Sequence, residues 1–161
     1  MKAVYPGSFD PMTLGHLDII ERAARTFSRL TVLVSTSYEK EAFFTPKERV
    51  EMIRASIQHL DNVDVDIWTG LTIHYLEQKD LKLMVRGVRS SSDFIQEQTL
   101  SNINRQVNDN IDTVLFCCRP EYRDVSSRSI KELAHFKGPY QKFVTPVVSA
   151  FFDKKLNSVK E

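Results

Sequence analysis

The 161-residue sequence predicts one α/β domain: a doubly wound parallel sheet of five strands with helices on both faces. Three observations point there. Candidate strands and candidate helices alternate along the chain, the pattern of repeated β-α-β units. The length suits a single domain with a substantial core. No internal repeat, low-complexity tract or linker divides it.

Lys2–Tyr5 is a short apolar run ahead of a turn punctuated by Pro and Gly, and reads as the first strand. The amphipathic stretch that follows begins by Leu17, with Leu17, Ile20, Ala24 and Phe27 on one helical face. Leu30–Ser35 is the second strand. Thr45-Pro46-Lys47-Glu48 is a capping-box start with Pro at the first helical position, and Val50, Ile53 and Ile57 form that helix's buried stripe. Val63–Ile67 is the third strand and Ile73–Lys79 a shorter helix. Leu83–Arg86 is the fourth strand, followed by a longer, more polar helix over Asp93–Val107. Thr113–Cys117 is the fifth strand. A helix begins near Ser127, and a last one covers about 146–156, ahead of a polar tail over 157–161. Crossovers in such a sheet are right-handed, and ligands bind at the carboxyl ends of the strands near the switch in strand order.

Composition narrows the function classes. Hydrophobic residues make up 42% and charged residues 27%, the balance of a soluble globular protein. With 22 basic and 21 acidic residues the formal charge is +1, which argues against a general polyanion or nucleic-acid binder. No apolar run reaches membrane-spanning length, and the N-terminus lacks the form of a signal peptide, so the expected compartment is the cytoplasm. Cys117 and Cys118 are adjacent and point to opposite faces of a strand, which disfavours a disulfide between them. They are expected to be small core hydrophobes. A pair of thiols with no second pair makes no zinc site.

The most informative stretch runs from Tyr5 to His16, Tyr-Pro-Gly-Ser-Phe-Asp-Pro-Met-Thr-Leu-Gly-His. It joins the first strand to the first helix. Unpaired N–H groups and the dipole make a helix start attractive to phosphate. Gly7 allows a tight turn and close backbone approach. Gly15 is expected to leave room for a phosphate, and His16 to place an imidazole donor beside it. Arg86-Gly87-Val88-Arg89 ends the fourth strand and sets a fork of guanidiniums for phosphate oxygens, unless they pair with Asp93 and Glu97. Ser126 or Ser127 reads as the N-cap of another helix start, with Arg128 beside it.

Gly-Ser-Phe-Asp-Pro-x-Thr-x-Gly-His resembles the signature of nucleotidyltransferases that carry a T/HxGH motif. With Thr13 at the first motif position the string is similar to the phosphopantetheine adenylyltransferases in particular. Arg86-Gly-x-Arg89 followed by Asp93-Phe94 and Glu97 resembles that family's second signature, and Tyr122-Arg-Asp-Val-Ser-Ser-Arg128 its third. The resemblance covers about residues 2–147. It implies a Rossmann-like fold, His16 and Lys40 as catalytic residues, and an ATP site. That site would comprise Ser8, Phe9, His16, Gly87, Val88, Arg89 and Glu97, together with Tyr122, Arg123, Asp124, Val125, Ser126, Ser127 and Arg128. Ser8, Lys40, Thr72 and Arg86 would bind phosphopantetheine. Glu41 and Thr72 depart from the family's usual residues beside the acceptor. The family also implies homohexamers, and regulation by coenzyme A.

The reaction implied joins 4′-phosphopantetheine to the AMP part of ATP, giving dephospho-coenzyme A and pyrophosphate. Its nucleophile is a phosphate oxygen already ionised near neutral pH, in keeping with a sequence that has no nucleophilic triad. Positioning and charge stabilisation would carry an in-line displacement. Mg²⁺ is expected on the triphosphate, held by substrate and water, since no acidic cluster reads as a protein cage. A related enzyme with another phosphorylated acceptor, such as nicotinamide mononucleotide, and a non-catalytic nucleotide-binding module are the alternatives. A dinucleotide oxidoreductase is disfavoured because no Gly-x-Gly-x-x-Gly follows the first strand.

Overall fold

The computed structural model describes residues 1–36 and 42–158. Five parallel strands form one sheet: β1 (Lys2–Gly7), β2 (Arg29–Thr36), β3 (Val63–Thr69), β4 (Leu83–Val88) and β5 (Asp112–Cys117). Their order is β3-β2-β1-β4-β5. The chain therefore winds outward from β1 to β3, then returns to start the other half at β4. The switch in direction falls between β1 and β4, where the crevice beyond the carboxyl ends is the expected ligand position. β1 runs in register with β2 from Lys2↔Arg29 to Gly7↔Val34, and β4 with β5 from Leu83↔Asp112 to Val88↔Cys117.

Alternation along the central strands supplies both faces of the sheet with apolar side chains. Ala3 and Tyr5 of β1 and Val32 and Val34 of β2 pack with Ile20, Ile53 and Phe152 in the larger cluster. Val4 and Leu33 point the other way and pack with Tyr75, Leu76 and Met84. The helices are α1 (Leu14–Thr26), α2 (Pro46–Ser56), α3 (Thr72–Gln78), α4 (Ser91–Val107), α5 (Ser127–His135) and α6 (Pro146–Ser158). The expected α2 start holds in full: Thr45 and Glu48 close a reciprocal capping box and Pro46 is the first helical residue. The buried face of α1 includes Ile19 and Ala23 beside Ile20 and Ala24.

Several boundaries differ from the sequence reading. β1 and β4 continue to Gly7 and Val88, because Gly7 still pairs with Val34, and Gly87 and Val88 with Phe116 and Cys117. α4 starts at Ser91, because Ser90 and not a later residue caps it by accepting from the Asp93 N–H. α6 reaches Ser158, so the first residues assigned to the tail are helical. Cys117 is exposed and Cys118 half-buried, not core. β5 is an edge strand with β4 on one side only, and the two residues stand at and just past its carboxyl end.

Candidate active site

The site hangs from the carboxyl ends of β1, β4 and β5. The loop after β1 delivers the start of α1. Thr13 caps that helix: its hydroxyl accepts from the His16 N–H at 3.4 Å, and its own N–H donates to His16 Nδ1 at 3.1 Å. A backbone N–H can only donate, so Nδ1 is an acceptor and the neutral ring carries its proton on Nε2. The Phe9 ring meets the imidazole edge-on, centroids 5.2 Å apart. Burial, then the charges of Arg89 and Arg86, pull the His16 pKa from 6.5 to about 4. Near neutral pH the ring is therefore an uncharged Nε2–H donor.

Both glycines of this turn line the cleft described below, and each also lies against a neighbouring side chain. A side-chain carbon at Gly7 would fall 2.9 Å from the Phe9 ring, so Gly7 makes room for Phe9. One at Gly15 would fall 3.3 Å from Cβ of Tyr122, so Gly15 admits the third motif against α1. Phe9 itself holds a left-handed φ of 46°.

β4 contributes the guanidiniums. Arg86 donates from Nε and Nη2 to the carboxylate of Glu97 at 2.8 and 2.6 Å, and from Nη1 to the Pro6 carbonyl at 3.0 Å. Burial works against the Arg86 charge, but the paired bonds to Glu97 outweigh it and raise its pKa. Residues assigned from the sequence to different substrates are thus a bidentate pair. Arg89 donates to Asp93 at 3.2 Å and to the Val125 carbonyl at 3.3 Å, which ties β4 to the segment ahead of α5. A side-chain carbon at Gly87 would sit 2.3 Å from Cδ1 of Ile19, so any larger residue there must displace the tip of that side chain.

α5 closes the third side. Ser126 caps it by accepting from the Ser129 N–H at 3.0 Å, and Ser127 Oγ donates to the Pro11 carbonyl at 2.8 Å. Asp10, buried and overlooked in the sequence, binds the three loops together. It accepts from the Phe43 and Phe44 N–H groups at 2.9 and 2.8 Å and pairs with Lys131 of α5 at 2.9 Å. Its only sequence signal was its place inside the first motif.

These elements enclose a cleft of about 370 Å³. Ser8, Phe9, His16, Gly87, Arg89 and Glu97 line it, with Arg86, Tyr122, Val125, Ser126 and Ser127. Tyr5 and Cys118 also line it and were not anticipated. Burial pushes the Tyr5 hydroxyl pKa well above its ordinary value, so it too stays protonated. A chamber of about 690 Å³ shares Ser8 and Ser127 with the cleft and holds Arg128. A groove of about 200 Å³ leaves the cleft at Arg86 and Glu97 and runs past Leu71, Thr72 and Leu100. Thr72 thus shares a surface with Arg86. Val88 turns into the core, and Arg123 and Asp124 are exposed outside the cleft. Lys40 lies outside the described residues.

A site of N–H, hydroxyl and guanidinium donors at the switch point suits anions, phosphates among them. The family described as cytidylyltransferase-like matches residues 4–133. A crystal structure from Vibrio parahaemolyticus, described as a candidate nicotinate-nucleotide adenylyltransferase, superposes with a TM-score of 0.68 over 94% of this chain and 97% of that one; at 19% identity it speaks to the fold alone. Fold, site and family together define a nucleotidyltransferase.

Relatives narrow it further. A phosphopantetheine adenylyltransferase of Symbiobacterium thermophilum is 46% identical, over 91% of this chain and 90% of its own. One of Bdellovibrio bacteriovorus is 41% identical over 96% of each chain. The chain belongs to the phosphopantetheine adenylyltransferase family.

Proposed function

We propose that this chain transfers the adenylyl group of ATP to 4′-phosphopantetheine, forming dephospho-coenzyme A and releasing pyrophosphate. One observation carries the reading: the His16 donor, Arg86, Arg89 and the α5 start line one cleft, and a groove leads away from Arg86. An oxygen of the acceptor phosphate attacks the α-phosphorus of ATP. The bond from that phosphorus to the bridging oxygen breaks, and pyrophosphate departs. Nε2–H of His16 donates to an α-phosphate oxygen as charge builds there. Arg86 binds the acceptor phosphate through donors left free by Glu97, which holds the guanidinium in orientation. Arg89, Ser126, Ser127 and Arg128 hold the departing phosphates, and Lys40 neutralises the reacting phosphate.

Mg²⁺ would accompany the nucleotide and neutralise charge on its phosphates. The donors that line the cleft suit phosphate oxygens, and among the described residues no group of three His, Cys, Asp or Glu gathers to hold a metal. In this reading substrate phosphates and water would hold the ion. Coenzyme A has the shape of the product and would compete for the cleft and groove. Self-association, up to the hexamer, would cover α4, where Leu100, Ile103 and Val107 form an exposed apolar stripe. The cytoplasm is the proposed setting; among the described residues no helix is long and apolar enough to cross a membrane.

Incubation with ATP, Mg²⁺ and either 4′-phosphopantetheine or nicotinamide mononucleotide, with mass detection of products, tests the reading. Dephospho-coenzyme A from the first and nothing from the second is expected. Turnover of nicotinamide mononucleotide alone would overturn it.

A further inference from the structure

Arg49 of α2 is the one fully buried cation among the described residues, 3% exposed. Its Nη1 donates to the Ser8 carbonyl at 2.7 Å, and its Nε has no hydrogen-bond partner among the described residues. Asp10, the nearby acid, spends its oxygens on the Phe43 and Phe44 N–H groups and on Lys131. A buried guanidinium without a contacting carboxylate is costly, and packing alone would favour an apolar side chain here.

What Arg49 holds is the peptide between Ser8 and Phe9. In a trans peptide the carbonyl and the following N–H point in opposite directions. The only cis bond among the described residues is Asp10–Pro11, so the Ser8–Phe9 bond is trans. Arg49 lines the chamber on one side of Ser8, while Ser8 and Phe9 line the His16 cleft on the other. Drawing the Ser8 carbonyl toward Arg49 turns the Phe9 N–H toward the cleft, and no acceptor takes that N–H among the described residues. The left-handed φ of Phe9 is unfavourable for an aromatic residue and persists only where its surroundings impose it.

We propose that Arg49 is a positioning residue for the transfer: it fixes the Ser8–Phe9 peptide so that the Phe9 N–H joins Nε2–H of His16 as a donor to the reacting phosphate. The proposal rests on the reading of the cleft as the ATP site. Arg49→Met and Arg49→Lys test it, with the amide resonance of Phe9 followed by NMR as ATP is added. In Arg49→Met, kcat falls by roughly ten- to a hundredfold with KM values little changed, as for a lost oxyanion donor. The ATP-dependent shift of the Phe9 amide, present in the wild type, disappears. Arg49→Lys recovers part of both and carries the test if Arg49→Met does not fold. Wild-type turnover in Arg49→Met, or an unchanged Phe9 titration, reduces Arg49 to a packing residue. Absence of pyrophosphate release by the wild type would instead defeat the proposed reaction, and the Phe9 titration would still decide the role of Arg49.

Discussion

Replacing His16 removes a helix cap and a cleft donor at once, and the two losses can be separated. The cap is the 3.1 Å bond from the Thr13 N–H to Nδ1. Losing such a cap costs about 1 kcal/mol of stability. The edge contact with Phe9, at 5.2 Å, adds about 0.5–1.5 kcal/mol. His16→Ala should therefore unfold about 2 kcal/mol more easily than the wild type. Loss of an aligned donor to a developing oxyanion costs roughly 10²–10³ in kcat. His16→Gln divides these effects, because glutamine at this capping-box position also accepts from the cap N–H. It should recover most of the stability and little of the turnover. Pyrophosphate release at saturating substrates gives kcat, and urea unfolding gives stability. If His16→Gln turned over at the wild-type rate, or if both variants lost activity only in proportion to stability, the Nε2 donor would have no part in the reaction.

The same residue predicts a pH dependence. Its folded pKa of about 4 lies below the unfolded 6.5, so the unfolded chain binds the proton first, and stability falls as pH drops through that window. The difference between wild type and His16→Gln should fall by up to about 1.4 kcal/mol per pH unit there, and a flat difference would show an unperturbed ring. Arg86→Ala should raise KM for the acceptor about ten- to a hundredfold and that for ATP far less; equal effects would contradict the assignment of Arg86. Gly87→Ala drives a methyl to 2.3 Å from Ile19 Cδ1 and should cost about 1–3 kcal/mol. Adding Ile19→Ala should reduce the penalty of the alanine at 87, and a purely additive double mutant would locate the strain elsewhere.

Much of the fold was legible because period and punctuation agree. Apolar runs alternate with capped amphipathic stretches, and Thr45-Pro46 announces α2 outright. His16, the arginines of β4 and the α5 start were legible because contiguous strings carry them. What was not legible depends on contacts distant in sequence. Asp10 and Arg49 act across 33 to 41 residues of chain, on the backbone of other loops, and backbone leaves no mark in a side-chain pattern. The Arg86–Glu97 pair could be suspected but not chosen over solvent exposure without the angle between β4 and α4. Gly15 has the same cause: it lies against Tyr122, a residue far along the chain that only folding brings near. The cysteines misled because a run of strand character does not say whether the strand is central or at the edge.

The central claim is that one corner holds two phosphorylated reactants end to end, so that one displaces the other directly at phosphorus. The stereochemical course of transfer from ATP made chiral at a sulfur-substituted α-phosphorus tests it most directly. The account predicts inversion of configuration in the product. Retention would require a covalent adenylyl-enzyme and an intervening nucleophile, and would contradict it.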